Sequence, residues 1–235
     1  MKNVILHSTI EVRRANRNRV FRYLYEATEP VTKQDLAYAP SMSLPTLTQN
    51  QNELLEEGLI DNSETADSSG GRKPRILTVV PGARYAVGVE LSSNHIRLVA
   101  LDLQVREVGF RVVQRPFRAD REYADRLART IEAFLDETGV PREKLLGVGI
   151  TVPGIVDGDQ ASLTGAYTLG IRQLDIGELM SAILYPVHLV NDANAGGFAE
   201  CWDWTGVEHM AYLSLSRGVG GAILVSWVVY LGNSG

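Results

Sequence analysis

The sequence predicts an α/β chain in two parts that differ in their hydrophobic periodicity. Residues 1–80 carry the apolar spacing of three helices and end in a short strand. Residues 81–235 alternate runs of aliphatic and β-branched residues with helical segments, which indicates strands and helices in succession. Hydrophobic residues make up 45% of the 235 positions, which is enough for a packed core.

The first part is predicted to contain helices at residues 18–27, 33–38 and 44–57 and a strand at residues 76–80. Thr32 followed by Asp35 is a variant of the capping box before the second helix, and Ser43 is an N-cap for the third. Gly58 ends the third helix. The Gly-rich basic segment 70–74 then forms the tip of a hairpin. Helix, short helix, turn, helix and hairpin is the layout of a winged helix-turn-helix.

The third helix of such a unit enters the major groove of DNA, and its first half here is rich in side chains that donate and accept hydrogen bonds. The predicted DNA contacts are Ser43, Thr46, Thr48, Gln49 and Asn50 on this helix and Arg72 and Lys73 at the hairpin tip. Gln51 belongs to the same polar run, which we expect to be exposed.

The second half of this helix is acidic. Its carboxylates, on Glu53, Glu56 and Glu57, would be repelled by phosphates, so we expect the N-terminal half to face DNA. The alternative interpretation of this part of the chain is a helical protein-interaction module with a polar face.

The net charge of −5 does not exclude DNA binding, because residues 1–80 are electrically balanced and the acidic excess lies in residues 81–235. The basic residues of the first part include a group of arginines, for which a solvated surface is the simpler interpretation: Arg13, Arg14, Arg17, Arg19 and Arg22. A single cysteine, Cys201, excludes an intrachain disulfide. No apolar run is long enough for a signal peptide or a membrane span, so we expect a cytoplasmic protein that does not act at a membrane.

The second part is predicted to begin with a three-stranded meander and to continue with alternating helices and strands. The predicted strands lie at residues 85–91, 96–103, 105–114, 145–152, 187–190 and 210–215, and residues 222–230 are predicted to begin a further hairpin. The predicted helices lie at residues 120–138, 176–184 and 193–203.

Several short motifs follow one another along both parts. They are 71–74 (GRKP), 87–90 (VGVE), 147–154 (GVGITVPG), 190–195 (VNDANA) and 212–221 (YLSLSRGVGG). In this order and spacing the chain resembles the ROK family, which contains sugar-responsive repressors, open reading frames of unknown role and sugar kinases. The resemblance implies a winged helix-turn-helix domain at residues 1–80. It also implies an actin-like ATPase (ribonuclease H-like) domain at residues 81–235, whose second lobe is incomplete. Within the family, an N-terminal winged helix marks the repressors.

The resemblance also implies a sugar site. In the kinases of the family, the residue matching Asn191 hydrogen-bonds the sugar and the residue matching Asp192 takes the proton of its hydroxyl. We therefore expect Gly154, Thr168, Asn191 and Asp192 to bind a sugar, with Asp192 as the catalytic base if the chain is a kinase. An amide beside a carboxylate suits a polyol. A helix N-cap is the alternative explanation of Asp192.

Departures from the family pattern argue against kinase activity. The acidic-Gly-Gly-Thr run of the first phosphate loop is missing around Glu90, Ser92 and Ser93, and Arg217 replaces a threonine of the second loop. Because glycines let backbone N–H groups approach phosphate, we expect weakened nucleotide binding and no enzyme activity.

Other departures concern the effector and the length. Thr168 stands where the family usually has an asparagine that contacts sugar, and Ile171 where a tryptophan is common, so the ligand can differ. The chain stops at Gly235 before the Gly-His motif and the cysteine-rich zinc loop of the family. We therefore expect no cofactor in this chain, and we interpret it as a fragment or a naturally truncated protein. A homodimer is expected from the resemblance alone.

The sequence thus supports three hypotheses. The first is a ROK-type repressor that binds double-stranded operator DNA and controls carbohydrate-utilisation genes in response to a sugar or sugar phosphate. The second is a ROK-type sugar kinase with an accessory DNA-binding domain. The third is a remnant that binds DNA or dimerises without a small molecule.

Overall fold

In the computed structural model, the chain divides into two compact units, Met1–Arg84 and Tyr85–Gly235. The structure describes residues 9–38, 42–65, 74–157, 162–204, 206–216 and 218–232. The predicted DNA contacts Arg72 and Lys73, and Arg217 of the second loop, lie outside these residues. Among the described helices, none is long and apolar enough to cross a membrane.

The first unit consists of three helices and a three-stranded antiparallel sheet. In chain order its elements are α1 (Thr9–Glu26), β1 (Val31–Thr32), α2 (Lys33–Tyr38), α3 (Leu44–Glu56), β2 (Ile60–Asp61) and β3 (Ile76–Val79). The sheet has the order β1-β3-β2. Helix α1 begins at Thr9, well before the predicted start at residue 18. The added turns are largely exposed, so they lack the apolar periodicity on which that prediction depended.

Local capping contacts explain where two of these helices begin. The Asp35 carboxylate accepts from the Thr32 backbone N–H at 2.8 Å, and the Thr32 hydroxyl accepts from the Asp35 N–H at 3.4 Å, as predicted. The Ser43 hydroxyl accepts from the Thr46 N–H at 3.4 Å and caps α3. The helices and strands then enclose a shared core of Val20, Leu24, Leu36, Leu47, Leu54, Ile60, Leu77 and Val79.

The second unit is a mixed α/β structure. Its elements are β4 (Tyr85–Leu91), β5 (His95–Asp102), β6 (Glu107–Gln114), α4 (Arg121–Thr138), β7 (Leu145–Val152), β8 (Ile155–Val156), β9 (Ser162–Thr164), β10 (Gln173–Asp175), α5 (Gly177–Ser181), β11 (Val187–Asn191), α6 (Asp192–Asp203), β12 (His209–Leu215), β13 (Val219–Val225) and β14 (Val228–Val229).

The main sheet of this unit has the order β11-β7-β4-β5-β6. Strands β11, β7 and β4 run parallel, and β5 and β6 are antiparallel to their neighbours. Helix α4 begins at the cap Asp120, ends at Gly139 in the left-handed conformation, and buries Leu127, Ile131 and Phe134 against the sheet. Because β4, β7 and β11 are parallel, their carboxyl ends meet at one edge, which is where a ligand site is expected in such sheets.

Two smaller sheets, β10-β9-β8 and β12-β13-β14, complete the unit, and α6 packs on the second around Cys201 and Leu224. The strands β8, β9 and β10 were not predicted, because runs of two or three residues carry little periodicity. Helix α5 is shorter than the predicted helix 176–184, because it ends at Ser181 with Ala182 as its C-cap.

Candidate functional site

The first unit presents a polar helix surface. Gln49 of α3 is exposed and Thr46 and Thr48 are partly exposed, so these predicted DNA contacts share the accessible side of the helix. Ser43 is also exposed, and its hydroxyl lies 2.8 Å from the Thr46 hydroxyl. Together these side chains offer donors and acceptors of the kind that read base edges.

The prediction that Asn50 and Gln51 are exposed is wrong. They are only 2% and 5% accessible, and the Asn50 side-chain amide donates to the Thr46 carbonyl at 2.6 Å. The buried positions Leu47, Asn50, Gln51 and Leu54 follow the spacing of one helix face, so polar residues occupy core-facing positions. Asn50 therefore does not belong to the exposed polar surface.

The acidic half of α3 is paired with α1 rather than isolated. Arg13 Nε donates to Glu53 Oε1 at 2.9 Å, and Arg17 contacts the Glu57 carboxylate. The Arg13 guanidinium lowers the pKa of Glu53. Sequence reasoning missed both pairs. The matching four-residue spacing of the two arginines and the two glutamates was the available signal, since such residues share a helix face.

The second unit brings the predicted sugar residues to the edge where its parallel strands end. Asn191, the last residue of β11, pairs in register with Val152 of β7, and Gly154 lies two residues after the end of β7. The Asn191 side-chain amide donates to the Gly154 carbonyl at 2.8 Å, while its Oδ1 accepts from the Asn194 N–H at 2.9 Å. Asn191 thus caps α6 and ties it to the end of β7.

Both the backbone conformation and the close neighbours of residue 154 require a glycine at this position. Its φ is +99°, and a Cβ atom there would lie 2.7 Å from the Thr164 carbonyl oxygen and 2.9 Å from Ala166. The absence of a side chain lets this loop approach the strand β9 closely.

The Asp192 carboxylate faces the same edge. Asp192 is the first residue of α6. It is not the N-cap of this helix, which was the alternative explanation of this residue, because Asn191 occupies the N-cap position. Asp192 Oδ1 accepts from its neighbour's backbone, Ala193 N–H, at 2.9 Å. Partial burial of the Asp192 carboxylate raises its pKa, and the negative charge of Glu90 raises this pKa further. Asp192 nevertheless remains accessible to solvent.

Glu90, near the end of β4, forms an ion pair. Arg97 Nη1 lies 2.9 Å from both oxygens of the Glu90 carboxylate, and His95 Nε2 lies 3.7 Å from it. The pair sits in register across β4 and β5. The Glu90 carboxylate therefore has a side-chain counterion.

Thr168 lies on an exposed turn, Tyr167–Leu169. A Cβ on Gly218 would lie 4.0 Å from Thr168 Cγ2, and a Cβ on Gly220 would lie 2.9 Å from the Ala193 Cβ. Gly218 thus lies close to Thr168, and Gly220 of β13 lies close to the start of α6.

Comparison with known proteins gives a consistent picture. The model of the ROK family matches residues 86–235. The xylose repressor of Bacillus subtilis (strain 168) is 28% identical over 212 residues, which cover 88% of this chain and 54% of that protein. The chain spans about half the length of the curated relatives it matches.

Solved structures share the fold. A crystal structure of a ROK family transcriptional regulator, a homologue of the Escherichia coli Mlc protein, matches 95% of this chain and 57% of its own with a TM-score of 0.77 and 21% identity. The ROK hexokinase of Thermus thermophilus matches 64% of this chain and 50% of its own with a TM-score of 0.53 and 30% identity. These matches confirm the predicted α/β class.

Proposed function

Because the chain belongs to the ROK family, we propose that it is part of a DNA-binding transcriptional regulator, a repressor of carbohydrate-utilisation genes that responds to a sugar or sugar phosphate. The extent of the structural matches carries this proposal. The ROK regulator matches 95% of the chain and so includes the first unit, whereas the ROK hexokinase matches only 64%. The first unit, which carries the polar surface of α3, therefore distinguishes the match to the regulator from the match to the hexokinase.

The first unit supplies the DNA-binding part of the proposal. Its three helices and antiparallel sheet suit a winged helix-turn-helix, with α3 as the recognition helix and the connection between β2 and β3 as the wing. Ser43, Thr46, Thr48 and Gln49 would contact bases or phosphates. Two copies bound to a palindromic operator would give the arrangement usual for such regulators.

The second unit supplies the sensing part. Gly154, Thr168, Asn191 and Asp192 would bind hydroxyl groups of the sugar, because carboxylate and amide groups donate to and accept from adjacent hydroxyls. Xylose is the first ligand to test, since a relative is a xylose repressor. The part of the chain that the structure describes has no cluster of His, Cys, Asp and Glu side chains that could hold a metal ion.

DNA binding is tested by selecting a randomised double-stranded DNA library on the chain and measuring the selected sequence by gel shift. We expect affinity to fall steeply with salt. Arg72→Ala should weaken binding to all sequences, and Gln49→Ala should reduce the preference for the selected one. Arg129→Ala, an exposed arginine of the second unit, is the matched control. If Arg72→Ala and Gln49→Ala both bind like the unaltered chain, the docking of this unit on DNA is refuted.

Sugar binding is tested by thermal denaturation with a panel of pentoses, hexoses, amino sugars and their phosphates. A ligand at one hundred times its Kd stabilises the folded state by about 2.7 kcal/mol, which is a readily measured shift. The shift should be lost in Asp192→Ala. If no sugar or sugar phosphate moves the transition, the sensing function does not belong to this chain.

A sugar kinase is the second candidate, favoured by the position of Asp192 beside Asn191 and by the similarity to the hexokinase. It predicts ATP-dependent phosphorylation of a sugar that Asp192→Asn abolishes. The ion pair between Glu90 and Arg97 argues against it, because it neutralises a carboxylate that a kinase uses.

A further inference from the structure

We propose that Glu53 is a positioning residue for base recognition: anchored by Arg13, it holds one amide N–H of Gln49 and thereby selects an adenine in the DNA. This inference deepens the proposed DNA-binding function and rests on it. It concerns α3 and α1 of the first unit, where the acidic side chain of Glu53 lies four positions after Gln49, the residue proposed to contact a base.

The geometry places Glu53 between the two residues. Glu53 follows Gln49 by four positions on α3, so their side chains are neighbours on the helix surface. Gln49 is exposed, whereas the Glu53 side chain is only 17% accessible. From the other side, Arg13 Nε and Nη2 both contact Glu53 Oε1, with the Nε contact at 2.9 Å.

The second carboxylate oxygen can therefore accept from Gln49. A carboxylate has two oxygens and several lone pairs, so the guanidinium on Oε1 leaves Oε2 capacity for another donor. A glutamine and an acidic residue four positions later on a helix are placed to form such a hydrogen bond. Gln49 also contributes to the lowered pKa of Glu53, after the larger effect of Arg13.

This contact decides which way the Gln49 amide faces. An ionised carboxylate accepts hydrogen bonds but cannot donate, so the amide nitrogen of Gln49 must point toward Glu53 and the flipped orientation is repelled. The side chain then directs Oε1 and its second N–H outward. This donor and acceptor pair matches N7 and the N6 amino group of adenine in the major groove.

Arg13 makes such an arrangement compatible with DNA. An unpaired carboxylate on the recognition helix would repel phosphates, whereas a carboxylate paired with a guanidinium presents little net charge. The pair also joins α1 to α3 and limits the motion of Glu53.

Glu57 provides a matched control on the same helix. Its carboxylate pairs with Arg17 of α1, as that of Glu53 pairs with Arg13. The residue four positions before it is Glu53, which offers no donor. Glu57→Gln and Glu53→Gln therefore remove the same charge and disrupt the same kind of interhelical pair, but only Glu53→Gln releases Gln49.

The experiment selects a randomised double-stranded DNA library on the full 235-residue chain and on the variants Gln49→Ala, Glu53→Gln and Glu57→Gln. Gln49→Ala identifies the base pair that Gln49 reads. At that pair we expect the unaltered chain to prefer adenine by roughly 5- to 150-fold, the range for one bidentate contact. Glu53→Gln should lose most of this preference, and Glu57→Gln should keep it. Circular dichroism melting of each variant shows that the unit remains folded.

The outcomes separate the inference from the function beneath it. A chain that selects no sequence refutes the proposed DNA-binding function. A chain that selects a sequence, but whose preference is the same in Glu53→Gln, refutes the positioning role alone. If Glu53→Gln and Glu57→Gln lose the preference for adenine equally, the positioning role is also refuted, because the loss would then result from removing a negative charge that both variants lack. A Gln49-dependent preference for a base other than adenine overturns the adenine assignment.

Discussion

Asn191 should stabilise the second unit through two separable contacts. Its Oδ1 caps α6 by accepting from the Asn194 N–H at 2.9 Å, and its amide donates to the Gly154 carbonyl at 2.8 Å. An N-cap contributes about 1 kcal/mol, and a hydrogen bond to a partly buried carbonyl contributes a further ~1 kcal/mol. Asn191→Ala removes both contacts and should cost about 2 kcal/mol of unfolding free energy.

Asn191→Ser separates the two contributions. Serine caps a helix as well as asparagine does, but its hydroxyl is too short to reach the Gly154 carbonyl. Asn191→Ser should therefore cost about 1 kcal/mol, half the effect of alanine.

Tryptophan fluorescence reports this unit selectively, because all three tryptophans of the chain, Trp202, Trp204 and Trp227, lie within it. Urea denaturation gives the unfolding free energy. With a slope of about 2 kcal/mol per molar urea, the alanine variant should unfold about 1 M earlier than the unaltered chain. If serine and alanine give equal midpoints, the cap contributes nothing. If serine matches the unaltered chain, the bond to Gly154 contributes nothing, and either result refutes the reasoning.

Two further predictions concern the same edge of the sheet. Gly154→Ala adds a Cβ 2.7 Å from the Thr164 carbonyl oxygen at a φ of +99°, which costs more than ~1 kcal/mol. It should therefore lower the urea midpoint by more than about 0.5 M. Gly149→Ala is the control and should have little effect, because no atom lies within 4 Å of its new Cβ. Asp192→Asn should stabilise the unit at neutral pH, because the pKa of Asp192 is raised in the folded state and its ionised form is therefore disfavoured there. The advantage should disappear as the pH falls below the ordinary value of 3.8, where the carboxyl is protonated in both states; a gap that widens in acid would contradict this sign.

Most helices and long strands could be predicted, because they depend on contacts within a few residues. The caps of α2 and α3 and the start of α4 at Asp120 are local hydrogen bonds between near neighbours. The long strands β4 and β7 follow from their runs of aliphatic residues. Short strands and the exposed start of α1 were missed, since neither carries a strong periodic signal.

The candidate sites were predicted less completely. The motif around Asn191 and Asp192 lies where the parallel strands end, and the structure places Gly154 against Asn191. The polar run of α3 did not distinguish exposed Gln49 from buried Asn50, because both residues are polar and only the position on the helix separates them.

By itself, the sequence determined the order of the longer helices and strands, the caps of α2 and α3 and the residue types available at each site. These depend on backbone preferences and on contacts between residues three or four positions apart. Only the tertiary structure decided that Arg13 neutralises Glu53 across forty positions of the chain and that Arg97 neutralises Glu90 across two strands. Such pairs depend on which helix faces and strand registers meet, and charge patterns alone do not specify them.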